Sequence, residues 1–123
     1  VIGKSGPAAV TALLDAYRAF VKANPGLATY TVRPAAVEAP DDAERAQAEA
    51  RIVHVAVAVV ASFGLAGEDA VHAVRALRSV AHGFATLEAA GGFGIPLDLD
   101  ESFRRLAAMV IAGLERQSGI ERG

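Results

Sequence analysis

The sequence predicts an all-α domain of four to five helices. Apolar residues recur at spacings of three and four through four long segments, which is the period of an amphipathic helix. Glycine, proline or aspartate stands at the ends of these segments, where helices begin and end. The one strand-like run follows helical residues without an intervening turn signal. At 123 residues, of which 53% are hydrophobic, the chain is predicted to form one domain with a single core.

The first helix is predicted from about Pro7 to Asn24. Ser5 or Gly6 can cap it, proline suits its first turn, and the sequence Asn-Pro-Gly ends it. Its apolar side consists of Val10, Leu13, Leu14, Tyr17, Phe20 and Val21. The segment 27–32 is either a brief fifth helix or an extended piece, and the Arg-Pro pair after it ends it.

The second helix is predicted from Asp41 to about Phe63, where Gly64 can cap it. Its two opening aspartates suit the positive end of the helix dipole. The run IVHVAVAVVASF would pass for a buried strand on its own, but no turn separates it from the helical residues before it. Because apolar residues surround this half, we expect a central helix with neighbours on several sides and a hydrogen-bonded core histidine, His54.

The third helix is predicted from Glu68 to about Ala90, where the glycines of GGFG end it. The last helix is predicted from Asp100, a plausible N-cap, to about Gln117. Apolar or small residues cover about 200° of the last helix, more than the stripe of roughly 100° that one core contact needs. A second surface is therefore expected to cover this helix.

Small residues on the last two helices predict that they pair with the same helices of a second subunit. Gly83 costs about 1 kcal/mol relative to alanine inside a helix, so its position beside Phe84 predicts a close helix approach. Two helices from each subunit would form a four-helix bundle across a twofold axis, with Met109 as packing filler. The predicted interface consists of Leu77, Val80, Gly83, Phe84, Leu87, Leu106, Met109, Val110 and Gly113.

Charge and composition exclude several classes of function. The net charge is −2 and no basic stripe is present, so direct nucleic-acid binding by this chain is not expected. The absence of cysteine excludes disulfides and thiol catalysis and suits a reducing cytoplasm. The longest uncharged run, 52–67, is shorter than the roughly 20 residues that span a bilayer, and the N-terminus lacks a signal-peptide pattern. The excess of arginine over lysine and the high alanine content suggest a GC-rich bacterial genome.

No catalytic residue, metal site or cofactor is predicted. His72 and His82 lie about 15 Å apart along one helix, so they cannot share an ion within a subunit. The sequence GGFG follows a helix, which is the wrong context for phosphate binding, and no nucleophile elbow occurs. His82 is expected to make a structural hydrogen bond, for example to a carbonyl of a neighbouring helix. Glu88 is expected to have a partner, either Arg104 or Arg105, or to reach solvent near its helix end.

Two stretches of the chain resemble the C-terminal domain of TetR-type transcriptional regulators. They are LLDAYRAFVKANPGLATYTV and ALRSVAHGFATLEAAGGFGIPLDLDESFRRL, in the order that the family has them. The second is similar to the last two helices of the class named for a Trp-His-Gly motif, although only His82 and Gly83 of that motif are present. The segment before Pro7 has no room for the family's helix-turn-helix domain. The resemblance therefore implies the effector-binding and dimerisation domain of a longer regulator, folded as an orthogonal helical bundle.

The resemblance also implies how such a domain works. A small effector binds among the helices and shifts the spacing of two DNA-reading domains, so DNA is contacted only through a domain that this chain lacks. We expect a small apolar or aromatic ligand, a homodimer and a cytoplasmic location. The candidate pocket residues are Tyr17, Phe20, Tyr30, His54, Phe63 and His82. The alternatives are a structural helical dimerisation module without a ligand and, less favoured, an enzyme acting on a small molecule.

Overall fold

The computed structural model describes residues 6–24 and 40–119, and these residues form four α-helices. The helices are α1 (Gly6–Ala23), α2 (Pro40–Ser62), α3 (Gly67–Ala89) and α4 (Leu99–Ser118). The described residues contain no β-strand, so the predicted all-α class is confirmed. Each predicted helix boundary lies within one residue of the observed one. The segment 27–32, whose state was left open, lies outside the described residues.

The helices form a bundle with α1 and α3 at its centre. Each of these two packs against all three other helices. The most deeply buried large side chains are Val10 and Leu14 of α1, Val60 of α2 and Leu77 of α3. Full burial of such a side chain contributes about 1.5–3 kcal/mol, so this junction of three helices holds much of the fold's stability. Within residues 6–24 and 40–119, none of the helices has the length and apolar character that crossing a bilayer requires.

Helix α2 is not the central helix that the sequence predicted. Its buried residues, Ala56, Val59 and Val60, form a single stripe that faces the core, and Phe63, directly after the helix, is buried as well. The side chains of His54 and Val57 are exposed, Val57 by 51%. The valines alternate at a spacing of two, and a helix distributes such residues around its whole circumference. The sequence of this apolar run therefore predicted burial on all sides, whereas only one stripe of the helix is buried.

The glycines after α3 end that helix in a Schellman motif. Gly91 adopts the left-handed region at φ +68°, and its N–H donates to the carbonyl of Glu88 at 3.1 Å. The N–H of Gly92 donates to the carbonyl of Leu87 at 2.7 Å, which is the second bond of the motif. A Cβ atom at position 92 would lie 3.3 Å from that carbonyl oxygen. The predicted helix stop is confirmed, and both glycines have a steric reason to be there.

Helix α4 begins at Leu99, directly after its observed cap, Asp98, and the prediction of Asp100 as the cap was wrong. The Asp98 carboxylate accepts from the N–H of Asp100 at 3.2 Å, and its carbonyl accepts from the N–H of Ser102 at 3.2 Å. Asp100 and Glu101 lie inside the first turn, where negative charge favours the helix dipole. Both carboxylates suit a helix start, so the sequence alone did not separate the cap from the first turn.

Candidate functional site

A cavity lies between α1, α2 and α3. It contains about 390 Å³ of empty space, including the part at its mouth that is open to solvent. The described residues that line it are Leu13, Leu14, Tyr17, Glu49, Ile52, Val53, Ala56, Val74, Leu77, Arg78 and Ala81. Most of these side chains are aliphatic, so the cavity suits an apolar molecule.

Helical periodicity explains how three helices supply this lining. The lining residues of each helix follow one another at intervals of one or three, so they share one face. Ala56 and Ala81 have side chains of a single methyl group, which leaves space between helices whose larger residues close the rest of the core. The same stripes that build the core therefore also build the cavity.

Three of the lining residues, Tyr17, Glu49 and Arg78, carry polar groups, and each of these groups has a partner. Nη2 of Arg78 donates to Oε1 of Glu49 at 2.6 Å, and this ion pair joins α3 to α2. The side chain of Arg78 is 46% exposed and that of Glu49 is 21% exposed, so the pair is in contact with solvent. The hydroxyl of Tyr17 lies 3.1 Å from Nδ1 of His82, one helical turn beyond Arg78. The surface of the cavity is thus almost entirely apolar, and the polar groups of Tyr17, Glu49 and Arg78 have partners of their own.

The structure brings only part of the predicted pocket together. Tyr17 lines the cavity, and His82 bonds to the far end of its ring, with the two rings edge to face at 6.5 Å. Phe63 is 3% exposed within the core, and Phe20 is half-buried on α1; neither is among the lining residues. His54 is exposed, so its interpretation as a core histidine was wrong.

Tyr30, the remaining predicted pocket residue, lies outside the described residues. The prediction missed the aliphatic lining because leucines and valines at helical spacing predict core before they predict a cavity. It also missed the pair formed by Glu49 and Arg78, which are 29 residues apart in the chain. Neither residue has a local sequence signal that distinguishes it from other surface charges.

A second polar cluster joins α1, α3 and α4 around Arg18. Its guanidinium donates to both carboxylate oxygens of Glu88, from Nε at 2.8 Å and from Nη2 at 2.6 Å. Nη1 of Arg18 lies 2.9 Å from Oδ1 of Asp100 at the start of α4. The guanidinium carbon also lies 5.3 Å and 4.8 Å from the ring centres of Phe84 and Phe103, which is cation–π distance. One side chain of α1 therefore contacts both of the last two helices.

This cluster corrects the predicted partner of Glu88. The expectation that Glu88 has a partner was right, but the partner is Arg18 of α1, with Lys22 at 3.5 Å, and not an arginine of α4. Arg104 and Arg105 instead pair with Glu101 of their own helix. The hydrogen bonds that Arg18 donates to Glu88 lower the pKa of Glu88 and raise the pKa of Arg18. Both groups are charged at neutral pH, and their charges offset each other.

The predicted dimer residues divide into two groups. Leu77 and Phe84 are 2% and 9% exposed, so they belong to the core of a single chain and offer little surface to a partner. Leu77 lines the cavity that α3 shares with α1 and α2, and the ring of Phe84 contacts Phe103 of α4. The others are at least partly exposed, most of all Met109 at 67% and Leu87 at 47%. We call this group the α3–α4 apolar face, and it comprises Val80, Gly83, Leu87, Leu106, Met109, Val110 and Gly113.

Gly83 makes no close helix approach within the chain. A Cβ atom built at this position, or at Gly113, would meet no atom within 4 Å in the described structure. Steric demand inside the protomer therefore does not explain either glycine. In the same described region, no three histidine or acidic side chains lie close enough together to bind a metal ion.

Fold and site together define the class as an all-α domain with a cavity between three helices and an apolar face on the last two. Comparison with protein families identifies it further: residues 10–110 match the family described as Tetracyclin repressor-like, C-terminal domain, and the chain belongs to this family. An uncharacterised HTH-type transcriptional regulator of Mycobacterium tuberculosis is 32% identical over 117 residues. That match covers 94% of this chain and 52% of the relative, so the chain spans about half the relative's length.

These matches confirm the resemblance to TetR-type regulators over most of the chain. The assignment to the Trp-His-Gly class stays a prediction.

Proposed function

We propose that this chain is the effector-binding and homodimerisation domain of a TetR-like transcriptional regulator. A small, mostly apolar molecule binds between α1, α2 and α3 and changes how a helix-turn-helix domain elsewhere in the regulator binds DNA. The cavity carries this proposal, because it places a largely aliphatic space inside a domain of this family. Such a regulator acts on DNA in the bacterial cytoplasm.

The α3–α4 apolar face supports the dimer. Leu87 and Met109 each expose about half or more of their side chains on two helices that contact each other. Apolar surface on consecutive helices favours burial against a second copy. Gly83 and Gly113 have open space around them, so a helix of the partner can approach their backbones closely. Twofold pairing of α3 and α4 covers all of these residues at once.

Helix α1 provides a route from the cavity to this face. Its Tyr17 lines the cavity and bonds to His82 of α3, while the next residue, Arg18, binds Glu88 of α3 and Asp100 of α4. A ligand changes DNA binding only if it binds one arrangement of these helices better than another. Movement of α1 on ligand binding would reach both helices of the dimer through these contacts.

The dimer is tested by analytical ultracentrifugation of the chain and of Gly83→Leu. The protomer has room for the new side chain, and leucine favours the helix, so the variant should stay folded and dissociate to monomers. Ala89→Leu is the matched control, since Ala89 is exposed and lies about 120° around the helix from Gly83. It should remain a dimer. A folded, dimeric Gly83→Leu, or a monomeric wild-type chain, would contradict the interface.

The effector site is tested by native mass spectrometry of the chain purified without refolding. A retained small-molecule mass on the wild-type chain supports an effector domain. Ala81→Phe is the informative variant, because it fills the cavity from α3. It should lose that mass while keeping the dimer. A dimer that never carries or binds a small molecule would favour the structural module without a ligand.

A further inference from the structure

We propose that the loop between α3 and α4, residues 90–98, belongs to the dimer interface. Ile95 and Leu97 of each copy are buried there against the second copy of the chain. This inference rests on the proposed homodimer and deepens it, because it adds a surface outside the two helices to the same interface.

The loop carries two large aliphatic side chains that the protomer leaves in solvent. Ile95 is 76% exposed and Leu97 is 71% exposed. In the described part of the chain, no other large apolar side chain is as exposed as these two. A single exposed aliphatic residue is common on protein surfaces, but two that are separated by one proline form an apolar patch. Such a patch is typical of a surface that another molecule covers.

The backbone of the loop restricts where these two side chains can lie. The N–H of Ile95 donates to the carbonyl of Phe93 at 2.7 Å, in a three-residue turn around Gly94 at φ +73°. The N–H of Leu97 donates to the carbonyl of Ile95 at 2.8 Å across Pro96, whose ring fixes its φ. The side chain of Phe93 packs against the core. Because these contacts already order the loop, burying it against a partner costs little further conformational entropy.

The patch adjoins the α3–α4 apolar face through Leu87. This residue belongs to that face and is 47% exposed. Its side chain lies against the start of the loop, since a Cβ atom at position 92 would be 3.0 Å from Cδ2 of Leu87. Residues 89–97 carry no charge. In a twofold contact the same surface meets itself, so an uncharged loop can approach its own copy without bringing like charges together.

The position of the loop favours the second copy as its partner. The described part of α1 begins at Gly6, whose N–H donates to Oγ of Ser62 at 3.2 Å. Arg18 lies about 18 Å further along α1, and its guanidinium contacts Glu88 and Asp100 on the two sides of the loop. A helix-turn-helix domain attached before Gly6 would therefore lie at the opposite end of the bundle from the loop. The second copy is the part of the proposed regulator that can cover the patch.

The first test measures the Kd of the dimer by sedimentation over a dilution series. Ile95→Ser combined with Leu97→Ser removes the patch, and the protomer should stay folded because both side chains are exposed in it. The Kd of the dimer should rise roughly tenfold or more, since two buried apolar contacts are lost. Val57→Ser combined with Val71→Ser is the matched control, because these two half-exposed side chains lie on α2 and near the start of α3. It should dimerise as the wild-type chain does, and circular dichroism establishes that both variants are folded.

The second test follows the reaction of one introduced thiol with N-ethylmaleimide. The chain contains no cysteine, so only the new thiol reacts. In a monomer, Ile95→Cys should react at least as fast as Val71→Cys, because position 95 is the more exposed of the two. In the dimer this order should reverse, with Ile95→Cys slowed roughly tenfold or more, since the contact must open before the thiol reacts. Adding Gly83→Leu, which should dissociate the dimer, should restore the fast reaction of Ile95→Cys and leave that of Val71→Cys unchanged.

The outcomes separate this inference from the proposed dimer. The loop lies outside the interface if the double serine variant of Ile95 and Leu97 dimerises with the wild-type Kd. The same conclusion follows if Ile95→Cys reacts faster than Val71→Cys in a chain that sediments as a dimer. In both cases the dimer itself stands. If the wild-type chain is a monomer at every concentration, the dimer part of the proposed function fails together with the inference, and the effector measurement is unaffected.

Discussion

The hydroxyl of Tyr17 lies 3.1 Å from Nδ1 of His82, and this bond connects the wall of the cavity to α3. The ring of Tyr17 is 4% exposed, and His82 directly precedes Gly83 of the α3–α4 apolar face. A buried hydroxyl needs a hydrogen-bond partner, and here that partner is a side chain of another helix. This pair of residues thus connects the cavity to the start of the α3–α4 apolar face.

The Tyr17–His82 bond should contribute measurably to stability. Tyr17→Phe keeps the ring and removes the hydroxyl, so we expect a loss of about 1 kcal/mol in the free energy of unfolding, measured with urea. A double-mutant cycle with His82→Ala isolates the pair, because both residues also make other interactions. The two losses should be less than additive in the double variant. Strict additivity would mean that the two side chains do not interact in solution.

The Arg18–Glu88 pair should be strongly coupled. Both side chains are 12% exposed, so Arg18→Met leaves a nearly buried carboxylate without its main partner and should cost about 3 kcal/mol. Replacing both residues, Arg18→Met with Glu88→Leu, removes the buried charges and should recover most of that loss. Thermal or urea unfolding measures both effects. A double variant less stable than Arg18→Met alone would contradict this account.

Arg104 provides the control for this prediction. It also binds a glutamate, Glu101, but its side chain is 70% exposed. Arg104→Met should therefore change the free energy of unfolding by less than about 1 kcal/mol. Equal losses from Arg18→Met and Arg104→Met would mean that burial does not determine the strength of these pairs.

Glu88 should make stability fall in acid. Its folded-state pKa is lowered from the ordinary value of 4.5, chiefly by hydrogen bonds from Arg18. Above pH 4.5 Glu88 is ionised in both states, and its full contribution to stability is present. Below pH 4.5 the carboxylate of Glu88 takes up a proton in the unfolded chain before it does so in the folded chain. Stability is therefore lost as the pH falls through the folded-state pKa. The stability difference between wild type and Glu88→Gln, measured by urea unfolding, should be constant above this pH and shrink below it. A stability difference between wild type and Glu88→Gln that grows in acid would contradict the predicted direction.

Salt distinguishes this contribution from that of Glu101. Hydrogen bonds from Arg104 and then Arg105 lower the pKa of Glu101 to about 2, so Glu101 acts on stability in the same direction. These partners lie in solvent, where added salt screens their attraction. The pH dependence attributed to Glu88 should persist in high salt, because the side chain of Glu88 is nearly buried.

Phe84 should be one of the most sensitive core positions. Its ring lies 4.8 Å from the ring centres of both Phe93 and Phe103, and only 9% of it is exposed. Phe84→Ala should cost about 3–5 kcal/mol, seen as a lower urea midpoint. Val71→Ala, at a position of α3 that is 50% exposed, should change the free energy of unfolding by less than about 0.5 kcal/mol. An unchanged midpoint for Phe84→Ala would place this ring outside the core.

The sequence by itself determined the class of fold and the limits of its helices. Proline at position 7 and the glycines at 91 and 92 act on the backbone of their own and adjacent turns. Their effect can therefore be predicted without knowledge of any distant contact. The amphipathic stripe of α1 was likewise predicted, because one helix face suffices to define it. The family was recognisable from the order of two such segments.

Only the tertiary structure decided which charges pair and where space remains. Arg18 reaches Glu88 across 70 residues of chain, although Arg104 and Arg105 are closer to Glu88 in sequence. The cavity exists because stripes from three helices do not fill the volume between them, and each stripe alone resembles ordinary core. The exposure of His54 depended on which face of α2 met its neighbours. Local patterns specify helices, whereas cavities and charge pairs depend on how separate helices are placed against one another.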